Sequence, residues 1–289
     1  MGMPIELKEY GYGKSGIRLV KVTREGQRHH LRDVKVEIQM FGDFEAAYLH
    51  GDNRAILPTD TMKNTVYALA RQYRFGAIEE FGLRLANHFL GRFPHVKRVV
   101  ASISEKQWQR ISCDAQPHGH AFQGATPERR VALIDKSRSA TSIEAGIAGL
   151  AVLKTSQSAF NNFLRDEYTT LRETQNRILS TQITAQWSYS GDRPGFNHVW
   201  NGVRTALLET FATHDSQSVQ HTLCTMGDAV LRGFDCISEI RFSMPNQHCL
   251  LVDLSPFHLD NPDEVFLPVD EPSGLIEATV RRPDDAVAY

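Results

Sequence analysis

The sequence predicts an α+β fold: two tandem modules, each an antiparallel sheet with helices on one face only. Three observations carry this expectation. Short segments alternate apolar and polar residues with period 2, as strands with one wet face do. Longer segments place apolar residues at three- and four-residue steps, as amphipathic helices do. The order strand, strand, helix, helix, strand, strand then occurs twice along the 289 residues, the mark of a duplication.

The elements follow in chain order. A glycine-rich turn, Gly11-Tyr12-Gly13-Lys14-Ser15-Gly16, leads into a strand from Ile17. In the next strand Val34, Val36, Ile38 and Met40 alternate with Lys35, Glu37 and Gln39. Met62, Val66, Leu69 and Tyr73 make one helical stripe, with Asp60 and Thr61 as N-cap types, and Ile78, Phe81, Leu85 and Phe89 make another. Strands return at Val99, Ala101 and Ile103, and around Val131 to Ile134. A polar, weakly periodic stretch from Lys136 to Ser142 forms a seam, giving modules 1–140 and 141–289.

In the second module Ile183, Ala185, Trp187 and Tyr189 alternate with polar residues. Trp200, Val203, Leu207 and Phe211 form a helical stripe; Val219, Leu223, Met226 and Val230 form the next, with Asp215 or Ser216 as its cap. Two strands follow, through Ile240-Phe242-Met244 and Leu250-Val252-Leu254, and segment 265–281 supplies a last one. Two helices cover one face of each sheet. The other face needs a partner, so an oligomer that closes sheets into a barrel is expected.

Composition narrows the function classes. Lys and Arg number 32 against 34 Asp and Glu, a net charge of −2. No basic field exists to hold a polyanion or an acidic membrane surface. Cys113, Cys224, Cys236 and Cys249 form no C-x-x-C pair and fit no structural zinc spacing, so free thiols in a reducing cytosol are expected. The start of the chain lacks the apolar core of a signal peptide, no run reaches the ~18 apolar residues of a membrane span, and Val287-Ala288-Tyr289 is not a peroxisomal tripeptide.

Several motifs have both a chemical and a plain reading. Gly11 to Gly16 matches G-x-G-x-x-G, but that fingerprint must follow a strand and open a helix, and here it precedes a strand. The plain reading is a flexible turn, with Lys14 a cation at a loop–strand junction. His118 and His120 alternate and could chelate a metal, yet no third ligand lies at a helpful spacing; polar surface or interface is the alternative. Arg165 to Glu173 reads as a solvated loop that could, like Arg177, offer a guanidinium fork to an anionic or carbonyl-rich ligand. Ser243 to His248, with Pro245 and Asn246, reads as a hairpin turn.

Longer stretches are more specific. They are Tyr12-Gly13-Lys14, Pro58 to Thr65, Gly149 to Thr155, Phe160, Phe163 to Leu171, Arg177 to Thr181, Ser218 to Gln220, and Pro245 to His248. In this order, from about Tyr12 to Val280, the chain resembles the urate oxidase (uricase) family. The resemblance implies two tunnelling-fold (T-fold) modules per chain and a homotetramer with active sites at subunit interfaces. It implies oxidation of urate by O2 to 5-hydroxyisourate and hydrogen peroxide, with no metal and no cofactor. Cytoplasmic residence goes with the absent tripeptide. The alternative is a T-fold purine- or pterin-binding enzyme without oxidase activity.

Position by position, the resemblance implies that Phe160 stacks on the purine, Arg177 grips one edge, and the Val219 N–H and Gln220 amide read the opposite edge. Thr59 and Asp60 would bind urate from the neighbouring subunit. Lys14, Thr59 and His248 would form a proton relay, and Asn246 would hold O2, peroxide or water with Thr59. These residue types suit a flat anion with hydrogen-bonding edges: a guanidinium fork and an amide read edges, and an aromatic ring fixes the plane. One departure is Cys249, where the family pattern has a larger apolar or aromatic residue.

Overall fold

A computed structural model describes residues 6–190 and 194–283. The chain divides into two compact units after Gly146. The elements of the first are β1 (Tyr12–Glu25), β2 (Arg28–Gly42), α1 (Glu45–His50), α2 (Thr59–Gln72), α3 (Ile78–Arg92), β3 (Val96–Cys113) and β4 (Gln116–Ser137). β5 (Thr141–Lys154) carries the chain across the boundary. Then come β6 (Leu179–Tyr189), α4 (Phe196–Thr213), α5 (Val219–Gly233), β7 (Ile237–Leu251) and β8 (Phe266–Arg281).

In the first unit β1 to β4 lie in sequence order, each antiparallel to the next. The predicted alternation is the core: Val34, Val36, Ile38 and Met40 from β2 and Val99, Ala101 and Ile103 from β3 are buried. Met62, Val66 and Leu69 of α2 and Ile78, Phe81, Leu85 and Phe89 of α3 close over them. Each large side chain so buried contributes roughly 1.5–3 kcal/mol of transfer free energy.

In the second unit β6, β7 and β8 are antiparallel neighbours, and α5 packs on β7, β8 and α4. Ile183, Ala185 and Trp187, Ile240, Phe242 and Met244, and the predicted stripes of α4 and α5 form its core. Among the described residues no helix is long and apolar enough to cross a membrane.

Four local expectations are corrected. Gly11 to Gly16 is not a flexible turn, because β1 already begins at Tyr12. α2 starts at Thr59 after Pro58, with no side-chain cap, so Asp60 lies inside the first turn. The cap of α5 is Ser218, whose hydroxyl accepts from the His221 N–H. Finally, Ile237 to Leu251 is one strand, so the segment at Pro245 is no hairpin turn and Leu250-Val252-Leu254 is no separate strand. Proline removes one ladder donor. The strand survives because Thr181↔Asn246 and Thr184↔Ser243, on either side of it, share one register.

One feature of the core is ionic. Arg130 of β4 donates to Glu79 of α3 at 2.7 Å, and both side chains are buried. Burial raises the Glu79 pKa and the Arg130 charge pulls it back. Removing the cation from a buried pair costs ~3–5 kcal/mol. Arg130→Met should therefore lower the thermal unfolding midpoint clearly, and adding Glu79→Gln should recover part of the loss. An unchanged midpoint in Arg130→Met would contradict this role.

Candidate active site

In the first unit Lys14, Thr59 and Asp60 come from β1 and the start of α2. Lys14 precedes a bulge: it pairs with Ile38, Ile17 pairs with Val36, and the extra residue is absorbed where Gly16 takes a φ of 69°. Gly13 is fixed by contact. A Cβ there would lie 1.9 Å from the Ile38 carbonyl oxygen, so only glycine lets β1 and β2 approach beside Lys14. The Tyr12 hydroxyl accepts the Leu57 N–H at 2.8 Å, tying the segment before Thr59 to the strand that carries Lys14.

Asp60 is exposed and accepts from Lys63 and, at 3.0 Å, from the Asn64 amide. The Lys63 contact, and more weakly the charge of Lys14, hold its carboxyl below the ordinary range. Lys14 and Asp60 are thus near enough to interact, at a helix start whose first N–H groups have no intrahelical acceptor.

In the second unit Phe160 and Arg177 lie in the connection between β5 and β6. That connection is irregular yet held by backbone bonds. Phe160 exchanges two hydrogen bonds with Thr174, and the Arg177 N–H donates to the Ser158 carbonyl at 2.8 Å. The Arg177 guanidinium lies 5.3 Å from the centroid of the Phe160 ring. Its Nε is buried and has no acceptor among the described residues. Burial lowers its pKa from the ordinary value, though a guanidinium stays cationic near neutrality.

The same connection is tied to the start of α5. Ala159 donates to the Ser216 carbonyl at 2.7 Å, and Ser216 donates to the Gln157 carbonyl at 2.9 Å. Val219 is the first residue of α5, and Gln220 next to it is exposed. Asn246 and His248 are half-buried on β7, two positions apart and so on one face of that strand. Asn246 pairs with Thr181 and Gly274, and the pairing with β8 changes register before His248.

The structure therefore brings the charge of Lys14 to bear on Asp60, which follows Thr59 in the first turn of α2, and joins the segment of Phe160 and Arg177 to the start of α5. Sequence reasoning missed the part that Tyr12, Ser158, Thr174, Ser216 and Thr222 play in holding these groups in place. Tyr12 stands out in the sequence only within a motif and Ser216 only as a possible cap, and Thr222 leaves one signal, a hydroxyl beside the apolar stripe of α5. His118 and His120 gain no support as ligands. The His118 Nδ1 accepts from the Ala121 N–H at 3.1 Å and the His120 N–H at 3.3 Å, and no group of three potential ligands occurs among the described residues. The Arg165 to Glu173 loop is solvated, with Tyr168 82% and Leu171 55% exposed.

The arrangement offers a half-buried guanidinium with a buried Nε above an aromatic face, in a segment tied to the start of a helix. It suits a flat anion. Comparison with known proteins agrees. The family model described as Uricase matches residues 10–135 and 143–277. The chain is 46% identical over 281 residues to a protein named Uricase from Arthrobacter globiformis, covering 97% of this chain and 91% of that one. It is 38% identical over 284 residues to one of the same name from Danio rerio, covering 96% and 95%. The crystal structure of the Arthrobacter globiformis uricase superposes with a TM-score of 0.93 at 45% identity, over 99% of this chain and 98% of that one. Urate oxidase from Bacillus sp. TB-90, at 24% identity and a TM-score of 0.84 over 95% of this chain and all of that one (100%), shares the fold.

Proposed function

The chain belongs to the uricase family, and on that premise we propose how it oxidises urate by O2 to 5-hydroxyisourate and hydrogen peroxide. The observation that carries the mechanism is the buried, unused Nε of Arg177 above Phe160. A desolvated guanidinium donor needs an acceptor, and urate is a planar monoanion with oxygen and nitrogen acceptors on its edges. Phe160 takes the ring face, Arg177 one edge, and the Val219 N–H with the Gln220 amide the other. The positive end of α5 favours the same charge.

Urate must lose a further proton before it can reduce O2. Thr59 faces the ring and hands that proton toward Lys14, with His248 completing the relay. A threonine hydroxyl is a poor base unless a neighbour relieves it. The Tyr12–Leu57 bond, which holds the two segments together, supports Lys14 in that part. The urate dianion supplies both electrons, so the reading needs no metal or organic cofactor. Both atoms of O2 leave as peroxide, and the added hydroxyl comes from water; Asn246 and Thr59 hold O2, peroxide and water in turn.

The working form in this proposal is a homotetramer of tandem T-fold modules, 1–140 and 141–289. Lys14, Thr59 and Asp60 of one chain complete a site whose Phe160, Arg177, Val219, Gln220, Asn246 and His248 come from another. Exposed Leu164, Tyr168 and Leu171 in one loop support burial against a second copy. Four unpaired thiols are in keeping with the cytoplasm, where we place it.

Mixed with urate in air, the protein should remove the urate absorbance band while consuming O2 and releasing peroxide in equal amounts. Urate binding without peroxide would favour the non-oxidising alternative. Residues acting as one unit lose activity non-additively. Lys14→Met and Thr59→Ala should each slow turnover strongly, and the double variant should be barely slower than the worse single one. Subunit exchange between inactive Lys14→Met and Arg177→Ala chains should restore some turnover. Fully additive losses would break the relay, and no rescue despite proven exchange would place the whole site within one chain.

A further inference from the structure

Thr222 lies on the inner face of α5 among Val219, Leu223 and Met226, and like Ser216 it is fully buried. A hydroxyl here must be satisfied by the protein itself. Thr222 Oγ1 donates to Ser216 Oγ at 2.7 Å, with the Ser218 carbonyl a more distant second acceptor at 3.2 Å, and Ser216 Oγ donates to the same carbonyl at 3.1 Å. The Ser218 carbonyl also accepts the Thr222 N–H at 3.1 Å, the first backbone bond of the helix, while the Ser218 hydroxyl caps the His221 N–H. The start of α5 is thus fixed from inside by two hydroxyls in series.

The backbone of Ser216 reaches the other way. It bridges to Ser158 in parallel pairing, accepting from Ala159 and donating to Gln157, and the Ser158 carbonyl holds the Arg177 N–H. One buried residue therefore links the segment of Phe160 and Arg177 to the turn that presents Val219 and Gln220. We propose that Ser216 and Thr222 are positioning residues that set the distance between the Phe160–Arg177 pair and the first turn of α5, and so the separation at which the two edges of the purine are gripped. This rests on the assignment of those four residues to urate. Neither hydroxyl touches substrate. Their effect passes through backbone, so it falls on binding geometry more than on the proton relay, which uses other residues.

The test compares steady-state urate oxidation by wild type, Thr222→Val, Ser216→Ala and Thr222→Ser, with thermal unfolding of each. Valine keeps the shape of threonine and removes the hydroxyl; serine keeps the hydroxyl. Thr222→Val and Ser216→Ala should each raise KM about tenfold, the effect of one lost hydrogen bond, with a smaller change in kcat. Thr222→Ser should keep KM within about twofold, because its hydroxyl is retained. Wild-type KM in either hydroxyl-free variant overturns the proposal, as does a rise in Thr222→Ser equal to that in Thr222→Val, which would assign the effect to packing of the methyl group. If one variant fails to fold, the other still decides. A wild-type protein that binds no urate and makes no peroxide would defeat the urate assignment itself and this inference with it.

Discussion

A guanidinium drawn partly out of water, with one buried donor left without an acceptor among the described residues, is the constraint on which the second unit turns. Arg177 is half-buried above an aromatic ring, and its Nε donor meets no acceptor among the described residues. Leaving a buried donor unmade costs ~1–3 kcal/mol, more when the group is charged. Such a cost persists in a fold when an anionic ligand removes it. In the proposed site the ring beneath would select a flat anion, and the helix start that Ser216 ties to the same segment would take its second edge. Rigidity follows from the same need. Phe160 and Arg177 lie in an irregular connection that backbone bonds to Thr174, Ser158 and Ser216 hold in place.

The first unit solves a different problem with similar means. A lysine has to be held beside a helix start, and a flexible side chain on a plain strand would not stay there. The bulge after Lys14 bends β1, glycine at 13 lets β1 lie against the Ile38 carbonyl, and Tyr12 ties in the segment before Thr59. Both units thus bring a helix N-terminus to a functional group on neighbouring backbone. They use different members of the helix pair: α2, the first of its pair, in one unit and α5, the second of its pair, in the other. The two units share an order of elements but use their helix pairs unequally.

The scaffold was legible because its signal is periodic and summed over many residues. Val34 to Met40, Ile183 to Trp187 and the four helical stripes bury as their spacing predicts, except Tyr73, which lies just past the end of α2 and is 40% exposed. The failures are single residues that overrule a local rule. Pro245 and Asn246 look like a turn, yet the ladder on both sides keeps its register and carries the strand through. The glycines at 11, 13 and 16 look like a flexible loop, yet they allow close pairing and a bulge. Ser216 and Ser218 are equally good caps by type, and only the fold spends the Ser216 hydroxyl on a carbonyl. Residues of the site are harder still. Phe160 and Arg177 sit in a stretch with no periodicity, and what marks them as candidates in the structure is burial and an unused donor, neither of which a sequence displays. Motif resemblance singles them out; spacing alone does not.

A crystal structure of the protein soaked with urate under anaerobic conditions tests the central claim most directly, because the ligand then stays unoxidised. The account predicts the purine ring parallel to Phe160, the Arg177 Nε within hydrogen-bond distance of an edge atom, and the opposite edge at the Val219 N–H and Gln220. Urate bound away from Arg177, with the Nε donor still without an acceptor, would contradict it.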